Sequence, residues 1–261
     1  SVVLSSVSHM EMEMQRAKVL QHDLLKSYVR LPDLQQKRMV EFAHSIGIPV
    51  TTHELYPAAF VGVDGTEHTG GTSRRGYATK IATLQRAYDD VIQLFGKSGR
   101  FWTATVSGGG TTRLFQEEPE LKNDPRFKLY PEWIERQVAG LGAPIAPTPG
   151  LAKMVADIMH AGAIIVTGTD AANAFNLHGE LMAYTMAGLT PYEALKASTV
   201  NAAQALNLDA GTIEPGKLAD LVIVDGDPLA NIADAHKVKR VIANGRLFEL
   251  NDLVRSPSTR A

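Results

Sequence analysis

The sequence contains no cysteine among its 261 residues. This absence excludes a disulfide framework, a thiolate metal site and a cysteine nucleophile, so any metal must be held by histidine, carboxylate or modified lysine side chains. A basic excess is also missing, because 26 Lys and Arg stand against 28 Asp and Glu. No apolar run approaches the roughly 20 residues of a membrane span. We therefore expect a soluble protein, cytoplasmic or periplasmic, that binds neither nucleic acid nor membrane.

Up to about residue 170, the sequence alternates short apolar runs with amphipathic stretches. This alternation predicts repeated βα units around a parallel sheet. The predicted strands are Asp23–Tyr28, Ile48–His53, Gly62–His68, Phe101–Val106 and Ala163–Thr167. The predicted helices are Leu31–Ile46, Tyr77–Phe95, Pro131–Ala139, Leu151–His160, Gly179–Ala187 and Pro191–Leu206.

The pattern changes near Gly211, where short apolar runs are joined by Pro-Gly, Asp-Gly and Asn-Gly turns. We predict a barrel-type βα domain over residues 1–210, a small antiparallel β segment over 211–254 and a polar tail over 255–261. Five strands cannot close a (β/α)8 barrel. Either further strands precede residue 1 in the natural protein, or the chain forms an open or oligomer-completed half barrel.

Potential metal ligands recur where the predicted strands end. His53 closes IPVTTH, His68 follows GTE, Asp170 follows IIVTGT, and Lys26 lies within DLLKSYV. Because βα barrels build their sites at this end of the strands, the four side chains are candidates for one divalent metal site. The structural alternatives are hydrogen-bonded strand histidines, a helix N-cap for Asp170 and an ion pair for Lys26. Repetition in successive βα units favours the metal site.

In this order the four residues resemble the ligands of the amidohydrolase superfamily. Further along, HGELMAYTMAGLTPYEALKASTVNAAQALNL, GTIEPGKLADLVIVDGDPL and VIANG are similar to the family's C-terminal helices and β-sandwich strands. The resemblance runs from about Asp23 to Asp252 and is closest to the imidazolonepropionase-like and prolidase-like branch. It implies an α/β fold, a partial (β/α)8 TIM-type barrel of strands four to eight with a small C-terminal β-sandwich segment.

The resemblance also implies a hydrolase that cleaves an amide, cyclic amide or peptide C–N bond with a metal-activated water. Zinc is the expected metal, one or two ions per site, and carbon dioxide would convert Lys26 to a bridging carbamate. His53 and His68 would hold the second metal, while Asp170 would be both ligand and general base. The strand-one His-x-His pair of the family is absent, since His9 stands alone before Lys26.

Three further residues are predicted to bind substrate. Tyr28 and Arg30 follow Lys26, and Arg30 is suited to clamp a carboxylate, with a surface ion pair as its alternative. His178 follows Asp170 and is expected to reach the substrate carbonyl or to serve a structural role near a helix N-terminus.

The expected substrate is a small molecule or dipeptide-like compound. Two other functions stay open: an esterase or other hydrolase on the same scaffold, and an inactive oligomerising fragment of a longer hydrolase. The exposed edges of a five-stranded parallel sheet predict a homo-oligomer in either case.

Overall fold

A computed structural model describes residues 2–28, 31–70, 82, 86–106, 110–139 and 149–255, and its central feature is a parallel sheet. The strands lie side by side in chain order and all run in the same direction. They are β1 Leu25–Ser27, β2 Val50–Thr52, β3 Gly65–Glu67, β4 Phe101–Thr103 and β5 Ile164–Val166. The predicted α/β class with a parallel sheet is confirmed.

Each observed strand is shorter than its prediction. Pro49 cannot donate to the ladder and therefore delays the start of β2. At the C-terminal end of β3, His68 has a left-handed φ of 62°, which takes the chain out of the extended conformation and ends the strand at Glu67.

Among the described residues, α-helices follow β1, β3, β4 and β5, whereas only a 3-10 turn lies between β2 and β3. The α-helices are α1 Val7–Val19, α2 Asp33–Ser45, α3 Asp89–Ser98, α4 Gly110–Glu117, α5 Glu132–Ala139, α6 Pro149–His160, α7 Phe175–Met186, α8 Pro191–Ser198, α9 Val200–Ala205 and α10 Leu250–Arg255. Short 3-10 turns cover Ala58–Val61, Pro119–Asn123, Pro125–Leu129 and Ile232–His236.

Two helix predictions need correction. The helix predicted over Tyr77–Phe95 begins at Asp89, because Asp89 and Asp90 favour the positive end of the helix dipole; residues 77–81 and 83–85 lie outside the described part of the chain. The helix predicted over Pro191–Leu206 is interrupted at Thr199, whose hydroxyl donates to the Leu195 carbonyl at 2.8 Å.

The chain divides into two compact units, and the parallel sheet belongs entirely to the first, which comprises residues up to 104, 154–166 and 201–208. Its core is formed where Met39, Val40 and Ala43 of α2 pack with Val50 and Val63. Trp102 of β4 is fully buried, and its ring centroid lies 5.3 Å from that of Phe95 in α3.

The second unit comprises residues 105–153, 167–200 and those from 209 onward. In its core Phe127 stacks on Phe175 with ring centroids 4.4 Å apart. An antiparallel sheet contains β6 Leu221–Val224, β7 Val238–Ala243 and β8 Arg246–Glu249. This sheet lies within the segment predicted at 211–254. The two-layer sandwich and the domain boundaries stay predictions, and the predicted tail lies outside the described residues after Arg255.

None of the described helices has the length and apolar character needed to cross a membrane.

Gly65 provides a direct test of the sheet packing, because it pairs with Phe101 across β3 and β4. A Cβ atom at position 65 would lie 2.0 Å from the Phe101 ring, which is itself buried. We expect Gly65→Ala to lower the free energy of unfolding by about 1–3 kcal/mol through overpacking. The matched control is Gly70→Ala, where a Cβ meets nothing within 4 Å. Urea unfolding curves in which both variants match the wild type would contradict the packing described for β3 and β4.

Candidate metal centre

The parallel register brings chemically active side chains from three strands to one edge of the sheet. Lys26 pairs with Thr51, and Thr51 pairs with Gly65. Two positions further along the chain are Tyr28 and His53, each one residue beyond its strand, and Glu67, the last residue of β3. Because side chains alternate between the two faces of a strand, these residues project on the same side as Lys26.

His68 reaches this cluster by breaking the alternation. A regular strand would place it on the opposite face from its neighbour Glu67. Its left-handed backbone, with φ of 62°, redirects the side chain. Two hydrogen bonds hold this conformation: the His68 amide donates to the Thr103 carbonyl at 2.7 Å, and Trp102 Nε1 donates to the His68 carbonyl at 3.0 Å. The buried Trp102 therefore fixes the position of a predicted metal ligand.

The two imidazoles meet through their Nε2 atoms, which lie 3.2 Å apart. Their ring planes are nearly perpendicular, at 81°, with centroids 4.5 Å apart. Tyr28 packs edge-on against His53 at 4.9 Å, and its side chain is about half exposed. The Nε2 atoms of His53 and His68 therefore converge on one point, and the partly exposed ring of Tyr28 lies beside it.

Glu67 completes the cluster and was not among the site residues predicted from the sequence. Its Oε2 lies 3.6 Å from His53 Nε2 and pairs with the Lys26 ammonium, while Thr51 donates to its Oε1 at 3.3 Å. Donor atoms of His53, Glu67 and His68 all lie within 4.8 Å of one another. No local signal in the sequence marks Glu67, because its place beside His53 follows only from the register of β2 against β3, in which Thr51 pairs with Gly65.

This donor set suits a divalent metal. Two neutral imidazoles and a carboxylate are ligands that zinc accepts, and three protein ligands are the number found in catalytic zinc sites, where the fourth position takes water or substrate. Convergent histidine Nε2 atoms beside a carboxylate are also what a metal site needs before the ion binds. The residues present therefore fit the metal that the family resemblance implies.

The structure brings together Lys26, Tyr28, His53 and His68 among the residues that the sequence predicted. Asp170 lies after β5 in the second unit, exposed and with a left-handed φ of 49°. Its role as ligand and general base stays a prediction. Arg30 lies outside the described residues.

Comparison with known proteins identifies the family. A sequence model described as the amidohydrolase family matches residues 31–248. The chain belongs to the amidohydrolase family. The predicted superfamily membership is thereby confirmed.

Individual relatives agree with this assignment. The enamidase of Eubacterium barkeri is 29% identical over 203 residues, which cover 75% of this chain and 43% of the enamidase. An imidazolonepropionase of Pyrobaculum arsenaticum is 62% identical over 47 residues, 18% of this chain and 12% of that protein. A crystal structure of a Xaa-Pro dipeptidase with bound methionine aligns with a TM-score of 0.65 at 20% identity. The alignment covers 95% of this chain and 59% of the dipeptidase chain. The chain thus shares the fold of that structure and spans under half the length of these curated relatives.

In the second unit, α7 carries a buried carboxylate, Glu180, which is fully enclosed. Its Oε1 accepts a hydrogen bond from the Val106 amide at 2.7 Å. Burial and the adjacent Glu180 carboxylate hold the pKa of the Tyr184 hydroxyl well above its usual value, so Tyr184 stays protonated and donates to that carboxylate. Glu180 therefore anchors the segment that follows β4.

His178 lies on the same helix and is largely enclosed in the second unit. Its ring centroid lies 6.2 Å from that of His236, whose Nε2 pairs with Glu118 Oε1 at 2.8 Å. Burial lowers the pKa of His178 to about 4, and the His236 ring and Arg126 act in the same direction. Its Nδ1 is buried without a hydrogen-bond partner among the described residues. Both the structural role and the substrate contact of His178 stay predictions.

The lowered pKa of His178 predicts acid sensitivity. The unfolded chain binds this proton with a pKa near 6.5 and the folded chain only near 4, so stability is lost as the pH falls from about 6.5 to 4. In the wild type, the free energy of unfolding should be lower at pH 4.5 than at pH 7. We expect this decrease to be about 2 kcal/mol smaller in His178→Gln. Urea titrations at both pH values measure this difference. His160→Gln, at an exposed position, is the control; equal pH dependence in all three proteins would rule out His178 as the source.

Proposed function

We propose that this chain carries the metal-binding part of a hydrolase that cleaves an amide, cyclic amide or peptide C–N bond with water. The observation that supports this most directly is the meeting of His53 and His68 through Nε2 atoms 3.2 Å apart, beside Glu67 and Lys26, in a member of the amidohydrolase family. Relatives that bear the names enamidase and Xaa-Pro dipeptidase favour an amide or peptide substrate over an ester.

His53 and His68 would hold the divalent metal, with zinc as the ion of choice for this donor set. Lys26, as a carbamate, and Asp170 would complete a family-type site. A metal in such a site lowers the pKa of water towards neutrality and polarises the carbonyl of the substrate. The five parallel strands would then correspond to strands four to eight of a (β/α)8 barrel, and β6–β8 to part of a β-sandwich.

The remaining residues of the proposed site handle protons and substrate. Asp170, a carboxylate after the last strand, would accept the proton of the attacking water and pass it to the leaving nitrogen. Tyr28 borders His53 and is exposed enough to contact a substrate directly. Arg30 would pair with a substrate carboxylate and His178 would contact the carbonyl. The proposed substrate is a small molecule or dipeptide-like compound, acted on by a homo-oligomer.

Metal content and hydrolysis together test this proposal. We expect the chain to contain one or two equivalents of zinc, and both His53→Ala and His68→Ala to lose metal and to reduce hydrolysis by about 100-fold or more, since each removes a direct ligand. Elemental analysis measures the metal, and a panel of Xaa-Pro dipeptides, cyclic amides and esters measures the reaction.

His160→Ala serves as the control, because it removes an exposed histidine at the end of α6. Preferential cleavage of the esters would support the esterase alternative. Zinc-loaded protein that hydrolyses nothing on the panel would support the inactive-fragment alternative, and protein that binds no zinc would refute the metal site itself.

A further inference from the structure

We infer that Glu67 is itself a metal ligand, so that this chain binds one divalent ion through His53, Glu67 and His68 without carboxylation of Lys26. The inference rests on the proposed metal site: it keeps His53 and His68 as ligands and replaces the Lys26 carbamate with Glu67 as the anionic ligand. It assigns the anionic ligand to a residue of the described cluster and makes metal binding independent of bicarbonate.

The distances within the cluster agree with tetrahedral coordination. For metal–nitrogen and metal–oxygen bonds of about 2.0–2.1 Å, neighbouring ligand atoms of a tetrahedron lie about 3.4 Å apart. The observed separations are 3.2 Å between the two Nε2 atoms and 3.6 Å between His53 Nε2 and Glu67 Oε2. The third pair, between Glu67 and His68, lies within 4.8 Å. Two of the three separations therefore already match a tetrahedral site, and the third has an upper limit of 4.8 Å.

The Glu67 carboxylate is oriented for this role. Its side chain is only 15% exposed, and Thr51 holds Oε1 by a hydrogen bond of 3.3 Å. Oε2 is thereby turned towards His53. A carboxylate held in this way loses little conformational freedom when it binds a metal, which favours affinity.

In the structure, the Lys26 ammonium occupies the position beside Glu67 that we assign to the metal ion. This ammonium pairs with Glu67 Oε2, the same oxygen that faces His53. Lys26 retains 38% side-chain exposure, so its flexible stem can release Oε2 and turn to solvent when a divalent ion takes the position. In this arrangement Lys26 is a competitor for Glu67 and is not required for binding the ion. Two histidines and one glutamate leave the fourth position open, as catalytic zinc sites do.

Cobalt binding provides a direct test, because the chain has no cysteine. We propose to introduce a thiol by Glu67→Cys and to record the absorption spectrum with Co(II). A thiolate that coordinates cobalt gives a charge-transfer band in the near ultraviolet, so the band appears only if residue 67 binds the ion. Glu41→Cys, on the exposed face of α2, is the matched control and should give no band.

Affinity measurements complete the test, with zinc as the probe in bicarbonate-free buffer and again with bicarbonate. We expect Glu67→Gln to weaken zinc binding by about 10–100-fold or more, and Lys26→Met to bind at least as tightly as the wild type. Circular dichroism of each variant checks that it is folded. The charge-transfer band of Glu67→Cys is a positive signal and does not depend on a loss of binding.

The outcomes separate the inference from the proposed function. If Lys26→Met abolishes zinc binding, Glu67→Gln binds like the wild type and no band forms in Glu67→Cys, the inference is wrong while the proposed metallohydrolase stands. If the wild type binds zinc only with bicarbonate, the inference is wrong in the same way. If the wild type binds no metal in either buffer, both fail. A band together with bicarbonate-independent binding supports the inference.

Discussion

The hydrogen-bonded register between β1, β2 and β3 is the constraint on which the candidate metal centre depends. Each strand contributes only three residues to the ladder, yet a shift of one residue would move every side chain to the other face of the sheet. The pairing of Thr51 with both Lys26 and Gly65 places His53 and Glu67 in one row. The absence of a side chain at Gly65 allows Phe101 to pack against β3 and so supports this register.

One departure from regular strand geometry then assembles the site. His68 adopts a left-handed conformation, which costs on the order of 1 kcal/mol for a residue with a side chain. Hydrogen bonds from its amide to Thr103 and from Trp102 to its carbonyl offset this cost. Such local strain is common where a side chain must be directed at a ligand. Without it, His68 would project away from His53 and Glu67.

The second unit shows how a family-like motif can serve packing. In HGELMAY, Glu180 binds the Val106 amide and His178 is enclosed near His236 and Arg126. A buried carboxylate with satisfied hydrogen bonds defines a specific packing arrangement. A polar residue that follows the predicted catalytic aspartate in the sequence, such as Glu180, can therefore belong to the core of the second unit.

By itself, the sequence determined the α/β class and the positions of Lys26, His53 and His68 at or near the ends of successive predicted strands, because apolar periodicity and the position of polar residues along a strand are local properties. It also placed the chain in its family. Strand lengths, the break at Thr199 and the membership of Glu67 in the cluster were decided only by tertiary structure. Register and backbone handedness depend on contacts between residues far apart in the chain, and no local pattern encodes that Glu67 lies beside His53.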